Sequence, residues 1–326
     1  MRSRLVPLAS LLTVAALGGP LASSGFAAGA TTAPAKASVR LYLRDAFFVH
    51  GNAVTVPGRP MTFTGVVRPY VPGQWVTVRS FAGHHRIKSD RLRVKPSRNH
   101  RFGLFTERVA SPATGILRVK VIHHRSSVMR GFRSRRAVAV LGTSAGFGSQ
   151  GRFVELIAQR LNAAHIYLPQ TGVYDQHMGL ALDAYHRLLG WGVSQGLGGA
   201  TVSALLNGLG HFRVRHPRDG KHIEGNLSKQ LLAEMYGSHV YRIYPISSGK
   251  PSTPTVLGHF RVYRRTPGYL PDGMYYSSFF YGGYAIHGFD PAPDYAASHG
   301  CMRLPITDAI SVFDWLKYGD VVDVYH

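Results

Sequence analysis

Residues 298–304 read Ser298-His299-Gly300-Cys301-Met302-Arg303-Leu304, and a second histidine stands upstream in Tyr284-Ala285-Ile286-His287-Gly288. Cys301 is the only cysteine in the sequence, which excludes an intrachain disulfide framework and any multi-cysteine metal or iron–sulfur site. A thiol attacks carbonyls as the thiolate, and an adjacent imidazole draws its pKa toward the working range. Gly300 lets the chain pass close to a substrate carbonyl, so neighbouring N–H groups can face a developing oxyanion. The fixed fork of Arg303 suits bidentate recognition of a carboxylate. Together these residues are what acyl transfer through a thioester requires. An inert, buried thiol fits this polar setting poorly. His287, His299 and Cys301 are chemically suitable zinc ligands, but their spacing matches no structural site and offers no fourth ligand. No metal or nucleotide cofactor is implied, because no metal spacing or Gly-rich phosphate loop stands out. Papain-like peptidases also pair Cys with His, but in the opposite sequence order.

The stretch around these residues reads as strand-rich. Residues 223–235 and 239–247 are expected to form a hairpin across Tyr236-Gly237-Ser238, with further strands over 259–263, 275–280, 284–287 and 321–325. One helix is expected after Pro305 and Thr307. Asp308 suits its positive end, Ile310, Phe313 and Leu316 line one face, and Lys317 and Gly319 close it. His222 and His259 fall on or beside strands and are read as edge or core residues. Asp290 and Asp294 lie between the two histidines, as substrate contacts or solvated loop residues.

Residues 298–304, with Ile286-His287-Gly288, resemble the signature of the L,D-transpeptidase (YkuD-type) catalytic domain. Tyr244-Pro245-Ile246-Ser247-Ser248-Gly249-Lys250, Thr253-Pro254-Thr255, Gly258-His259-Phe260 and Met274-Tyr275-Tyr276 match it in order and spacing. The resemblance implies a β-rich catalytic fold acting on peptidoglycan stem peptides, as donor and acceptor. It implies Cys301 as nucleophile and His287 as general base, oriented by a backbone carbonyl near Gly288. It further implies His299 supporting the thiolate and the Gly300 and Cys301 amides at the oxyanion. Tyr275 or Tyr276, Ser298, Gly288 and Arg303 complete the expected substrate contacts. Arg303 stands where some members carry Asn, and the loop between His287 and Ser298 is short for the family. The expected reaction removes D-Ala from a tetrapeptide donor and forms 3→3 cross-links. With water as acceptor the enzyme is an L,D-carboxypeptidase, and a degenerate domain would leave a non-catalytic wall-anchoring protein.

Upstream, the periodicity becomes helical over residues 142–210. Phe153, Leu156, Ile157 and Leu161 mark one face, with Arg160 between them. Gly172-Val173-Tyr174-Asp175 turns into a second run carrying Leu180, Leu182, Ala184, Tyr185, Leu188 and Leu189. A third helix is expected over 201–206, N-capped by Thr201. Ala158-Gln159-Arg160-Leu161, the turn at 172–175 and Ala181 with Tyr185-His186 resemble the small three-helix peptidoglycan-binding domain of wall enzymes. Tyr185-His186 stands where that family usually shows Phe-Gln.

Of the formal net charge of +22, a balance of +18 falls between Lys36 and Val140, where only Asp45, Asp90 and Glu107 are acidic. Seven strand runs, over 38–49, 61–70, 74–81, 85–94, 102–109, 115–122 and 136–141, predict an immunoglobulin-like sandwich. Such charge favours anionic wall polymers or an anionic membrane surface, or is a solvated arginine-rich face. Arg2 and Arg4, the apolar run over 5–17 and Ala28-Gly29-Ala30 read as a secretory signal peptide; an uncleaved anchor is the alternative. The expected order is therefore a signal peptide (1–30), a basic all-β sandwich (31–140), a helical domain (141–212) and the catalytic domain (213–326). The protein is expected to be exported to the cell wall, monomeric, with no nucleic-acid partner.

Overall fold

The structure is a computed structural model that describes residues 33–169 and 171–326. The region read as a signal peptide lies outside the described residues. Ten strands come first: β1 (Ser38–Arg44), β2 (Phe47–Val49), β3 (Asn52–Thr55), β4 (Met61–Arg68), β5 (Trp75–Ala82), β6 (His85–Arg93), β7 (Lys95–Pro96), β8 (Gly103–Val109), β9 (Gly115–His123) and β10 (Phe132–Val140). They form two sheets, ordered β1-β4-β8-β7 and β2-β3-β10-β9-β5-β6. Period-two alternation explains why. Met61, Phe63 and Val67 of β4 point inward to meet Val76, Val78, Leu117, Val119 and Val121 from the other sheet. The arginines and lysines between them face out.

Two details of this region differ from the sequence reading. The run over 38–49 breaks at Asp45, whose φ of 65° is left-handed, so it makes two strands in different sheets. The short strands β3 and β7 carry too few apolar residues to signal themselves.

Three helices follow: α1 (Arg152–Ala163), α2 (Gln176–Leu189) and α3 (Gly199–Asn207). The Asp175 side chain caps α2, accepting from the Met178 amide at 3.1 Å, and Gly190 ends it in the left-handed conformation. Thr201 is not the cap expected. It lies inside α3, buried, with its hydroxyl 2.8 Å from His186 Nε2. Tyr185 and His186 are likewise buried, spent on the Leu209 and Ser194 carbonyls.

The C-terminal part holds β11 (Lys221–Asn226), β12 (Leu231–Tyr236), β13 (His239–Pro245), β14 (Gly258–Arg261), β15 (Arg264–Tyr269), β16 (Tyr275–Tyr281), β17 (Tyr284–Gly288), β18 (Met302–Leu304), α4 (Ile306–Trp315) and β19 (Val321–Tyr325). Five strands make one sheet, β13-β12-β11-β19-β14, and four make another, β15-β16-β17-β18. The run over 223–235 is two strands, not one, because a turn at 227–230 intervenes with Gln230 at φ 51°. The β12–β13 hairpin falls across the turn expected. Phe313 and Leu316 face inward as expected, joined by Ala309 and Val312, but Ile310 of α4 is exposed.

The apolar contacts cross these sequence divisions. Leu231, Ala233, Met235 and Ile243 of the β12–β13 hairpin share one core with Leu156, Leu161, Leu182 and Tyr185 of the helices. The opposite side of the C-terminal part, including Ile223, Ile286, Met302, Leu304, Val312 and Val322, packs between the two sheets and α4.

Candidate active site

β17 and β18 run parallel, pairing Ile286 with Met302, His287 with Arg303 and Gly288 with Leu304. Because side chains alternate along a strand, Ile286, Met302 and Leu304 enter the core beside α4. His287 and Arg303 therefore share the other face, and Cys301, one position before Met302, joins them. That face also carries Met274, Phe279, Ala285 and Leu270, which form a small apolar floor against the thiol.

His287 is 2 % exposed. Its Nδ1 lies 2.9 Å from the Gly288 carbonyl oxygen, which only accepts, so Nδ1 carries the proton and Nε2 keeps its lone pair. Burial, with Arg303 adding to it, pulls its pKa down to about 4, so the ring is neutral at pH 7. Burial also pushes the Cys301 thiol up; the Ala285 amide and the Arg303 charge act against this without overcoming it. The thiol reaches toward the Gly283 carbonyl at 3.8 Å. The pair at rest is thus a thiol and a neutral imidazole. The expected lowering of the thiol pKa by its histidine neighbours is not what this environment produces.

The turn holding Cys301 is built by Ser298. Its hydroxyl donates to the Cys301 carbonyl at 2.6 Å and accepts from the Gly300 amide at 3.0 Å. Two expectations are corrected here. Ser298 is fully buried and its hydroxyl is committed to the loop, so it is not a substrate contact. The Gly300 amide is already bonded to the Ser298 hydroxyl, so it is not free to receive an oxyanion. Gly300 itself has φ 121°, and a Cβ there would come within 1.8 Å of the Tyr284 ring. Gly288 is buried against Ala309 and Tyr275, where its carbonyl holds His287.

The loop over 247–255 braces this turn. The Ala297 and Ser298 amides donate to the Ser248 carbonyl at 2.9 Å, and the Lys250 amide and Thr253 hydroxyl donate to the Ser298 carbonyl. Gly249 fits only without a side chain, since a Cβ would come within 2.3 Å of the Thr253 carbonyl.

The remaining expected residues are distributed unevenly. His299 is exposed, its Nε2 3.3 Å from Lys250 Nζ. The Arg303 guanidinium lies 4.0 Å over the Phe289 ring, and among the described residues it makes no ion pair. Tyr275 and Tyr276 are turned away from the thiol. Tyr276 packs edge-on to Phe313 of α4, and Tyr275 rests on Tyr269 and against Gly288 on the α4 side. Asp290 and Asp294 are both exposed.

Residues 220–324 match the YkuD family, the L,D-transpeptidase catalytic domain. This segment is an L,D-transpeptidase catalytic domain. A solved L,D-transpeptidase from Xylanimonas cellulosilytica is 27% identical, with a TM-score of 0.50, over 57% of this chain and 98% of that one. The catalytic domain of an L,D-transpeptidase from E. faecium is 28% identical, with a TM-score of 0.29, over 33% of this chain and 98% of that one. No curated protein sequence matches the chain.

Two residues of the YkuD domain escaped the sequence reading. Asp272, in the loop between β15 and β16, is exposed, and its charge acts on both His287 and Cys301. Phe289 carries Arg303 on its face and stands edge-on to His287 with centroids 5.9 Å apart. Phe289 directly follows His287-Gly288, so its position was a signal; Asp272 arrives only through the fold.

Proposed function

We propose that the protein is an exported cysteine transpeptidase that cleaves the terminal D-Ala from a tetrapeptide donor and forms 3→3 cross-links in peptidoglycan. The observation that carries this reading is the placement of Cys301, His287 and Arg303 on one sheet face, with His287 Nδ1 bonded to Gly288 and Nε2 left basic. As the Cys301 sulfur attacks the carbonyl of the third stem residue, His287 Nε2 takes the thiol proton. The tetrahedral oxyanion receives the Cys301 amide. When the C–N bond breaks, the leaving D-Ala amine takes the proton from His287, and a thioester remains. An acceptor amine from a second stem then attacks the thioester; His287 removes its proton and returns one to the departing sulfur.

A neutral imidazole and a protonated thiol suit this general-base route, since each proton transfer begins from the resting form of both groups. Arg303, stacked and unpaired, is the cation for a donor carboxylate. His299, on the rim beside Lys250, is placed to meet the entering donor.

The N-terminal sandwich, of immunoglobulin-like type, is proposed to hold anionic wall polymers. A groove where it meets α1 is lined by Arg118, Lys120, Arg135 and Arg136 of the sandwich and by Arg152 of α1, with no carboxylate among its lining residues. The helical segment is proposed as a peptidoglycan-binding-like unit, and the protein as a monomer at the cell wall.

Mass spectrometry of the protein incubated with a disaccharide-tetrapeptide tests the reaction. Dimers lacking one D-Ala, with a transient adduct on Cys301, are the expected products. Tripeptide monomer alone makes the enzyme an L,D-carboxypeptidase. Neither product nor adduct, from folded protein with an accessible thiol, leaves a wall-anchoring protein.

A further inference from the structure

On the five-stranded sheet, away from the Cys301 face, two histidines and two aspartates converge. Asp323 of β19 stands directly opposite His259 of β14. Across the other edge of β19, Asp323 pairs in register with Glu224 of β11. The segment leading into β11 folds back over this row. Glu224 accepts from the Arg215 amide at 2.8 Å and from the His216 amide at 2.6 Å, which fixes His216 above the sheet. The Asp219 amide donates to the His216 carbonyl at 3.2 Å, completing a turn that brings its carboxylate to the same point.

The donor atoms meet closely. His216 Nδ1 lies 3.8 Å from Asp219 Oδ2 and 3.8 Å from Asp323 Oδ1. His259 Nδ1 lies 3.6 Å from Asp219 Oδ2 and 2.7 Å from Asp323 Oδ1. A tetrahedral zinc ion with N and O ligands at ordinary bond lengths separates its donors by about 3.3 Å. Three of these four separations exceed this by half an ångström or less; the ligand atoms of His216, Asp219 and Asp323 all lie within 4.8 Å of one another, and His259 joins them through the two aspartates. The fourth is a hydrogen bond that would open as Nδ1 exchanges its proton for a metal. A second observation points the same way. The Asp323 side chain is 1 % exposed, yet its Oδ2 has no hydrogen-bond partner. Oδ1 is the oxygen that faces His216 and His259; a buried carboxylate with its other oxygen unpartnered is costly, and a cation held by that carboxylate lowers the cost.

We propose that His216, Asp219, His259 and Asp323 bind one divalent transition-metal ion of the zinc class. Two neutral imidazoles and two carboxylates are a donor set suited to zinc, and they neutralise its charge. The ion would fasten the segment that joins α3 to β11 onto the outer face of the sheet. It would act structurally, remote from the thiol. No sequence spacing announces this site, because its four ligands come from three separate stretches of the chain. His259, read from the sequence as an edge or core residue, lies on the edge strand β14 and is half exposed at the site's rim.

Calorimetric titration of the chelator-treated, full-length exported protein with Zn²⁺ tests the proposal, with Co²⁺ absorption reporting tetrahedral ligation. One saturable equivalent is expected, accompanied by a rise of several degrees in melting temperature. H259Q and H216Q should each abolish the equivalent, whereas a His84→Gln/His85→Gln control in the sandwich should retain it. Because His259 is half exposed, H259Q keeps the test valid even if H216Q fails to fold. Absence of saturable binding by Zn²⁺ or Co²⁺, or an equivalent that survives in H259Q, overturns the proposal.

Discussion

Gly300 and Tyr284 are packed so closely that the tyrosine ring occupies the space a side chain at position 300 would need. With φ at 121°, the glycine also holds a backbone conformation closed to L side chains. The turn that presents Cys301 is thereby fixed from the core side by an aromatic ring and from within by the Ser298 hydroxyl.

Substitution G300A should displace this turn. Overpacking and backbone strain each cost about 1–3 kcal/mol. Loss of acyl-enzyme formation is therefore expected, together with a lowered melting temperature. Y284A should recover part of the stability in the double variant by clearing the ring, but not the activity, since φ stays unfavourable. Wild-type turnover by G300A would contradict the account.

The titration of the pair has a distinct signature. With the Cys301 thiol pushed up by burial and His287 neutral, alkylation by iodoacetamide should keep rising through pH 8.5. A thiolate–imidazolium pair would instead give a plateau of reactivity in mildly acidic solution. Acylation by donor should remain flat through neutral pH and fall on an acid limb near pH 4, where His287 gains its proton. Its folded pKa lies below the ordinary 6.5, so the unfolded chain binds the proton first. His287 thus favours the fold fully above pH 6.5, and this contribution is lost as pH falls to about 4.

Arg303 has a ring beneath it and, among the described residues, no carboxylate beside it. R303A should raise KM for the tetrapeptide by roughly tenfold to a hundredfold, the loss of one charge-assisted bidentate contact. R303K should recover only part of this, because a lysine neither forks nor stacks as a guanidinium does. Steady-state kinetics with amidated and free-acid donors separates the two: the amidated donor should lose its sensitivity to the substitution.

Glu234 offers a control on stability remote from the thiol. Burial in β12 raises its pKa to about 8, with the Tyr244 hydroxyl donating to it at 3.2 Å. A carboxyl raised this way favours the fold fully below its ordinary 4.5, and that advantage disappears as pH climbs through 8. E234Q should leave the melting temperature nearly unchanged at pH 5 and raise it at pH 8.5. Thermal denaturation at the two values is sufficient, and equal shifts at both would falsify the assignment.

What the sequence made legible divides along physical lines. His287 and Cys301 could be singled out as candidates because their chemistry is local: a thiol, a glycine and two imidazoles within a short span. The orienting carbonyl at Gly288 was readable for the same reason. The fate of Ser298 was not, since a hydroxyl is equally suited to substrate or backbone, and only the turn's closure decides. Tyr275 and Tyr276 were misplaced because an irregular register in β16, with Tyr276 at φ 51°, turns the rings toward α4. Asp272 and the His216–Asp323 cluster depend on strand order, which no single stretch encodes. The same holds for the split at 227–230, where a polar turn interrupts an otherwise continuous strand-like run.

The β12–β13 hairpin faces the helices with Leu231, Ala233, Met235 and Ile243, all but fully buried. The leucine, methionine and isoleucine among them contribute roughly 1.5–3 kcal/mol each when removed from water. A chain trimmed to the catalytic region alone would carry that surface bare, prone to clump before it could turn over any wall fragment. The helices are the enzyme's rear wall, and a lesion in α1 at Leu156 or Leu161 would surface in the laboratory as poor yield of active transpeptidase.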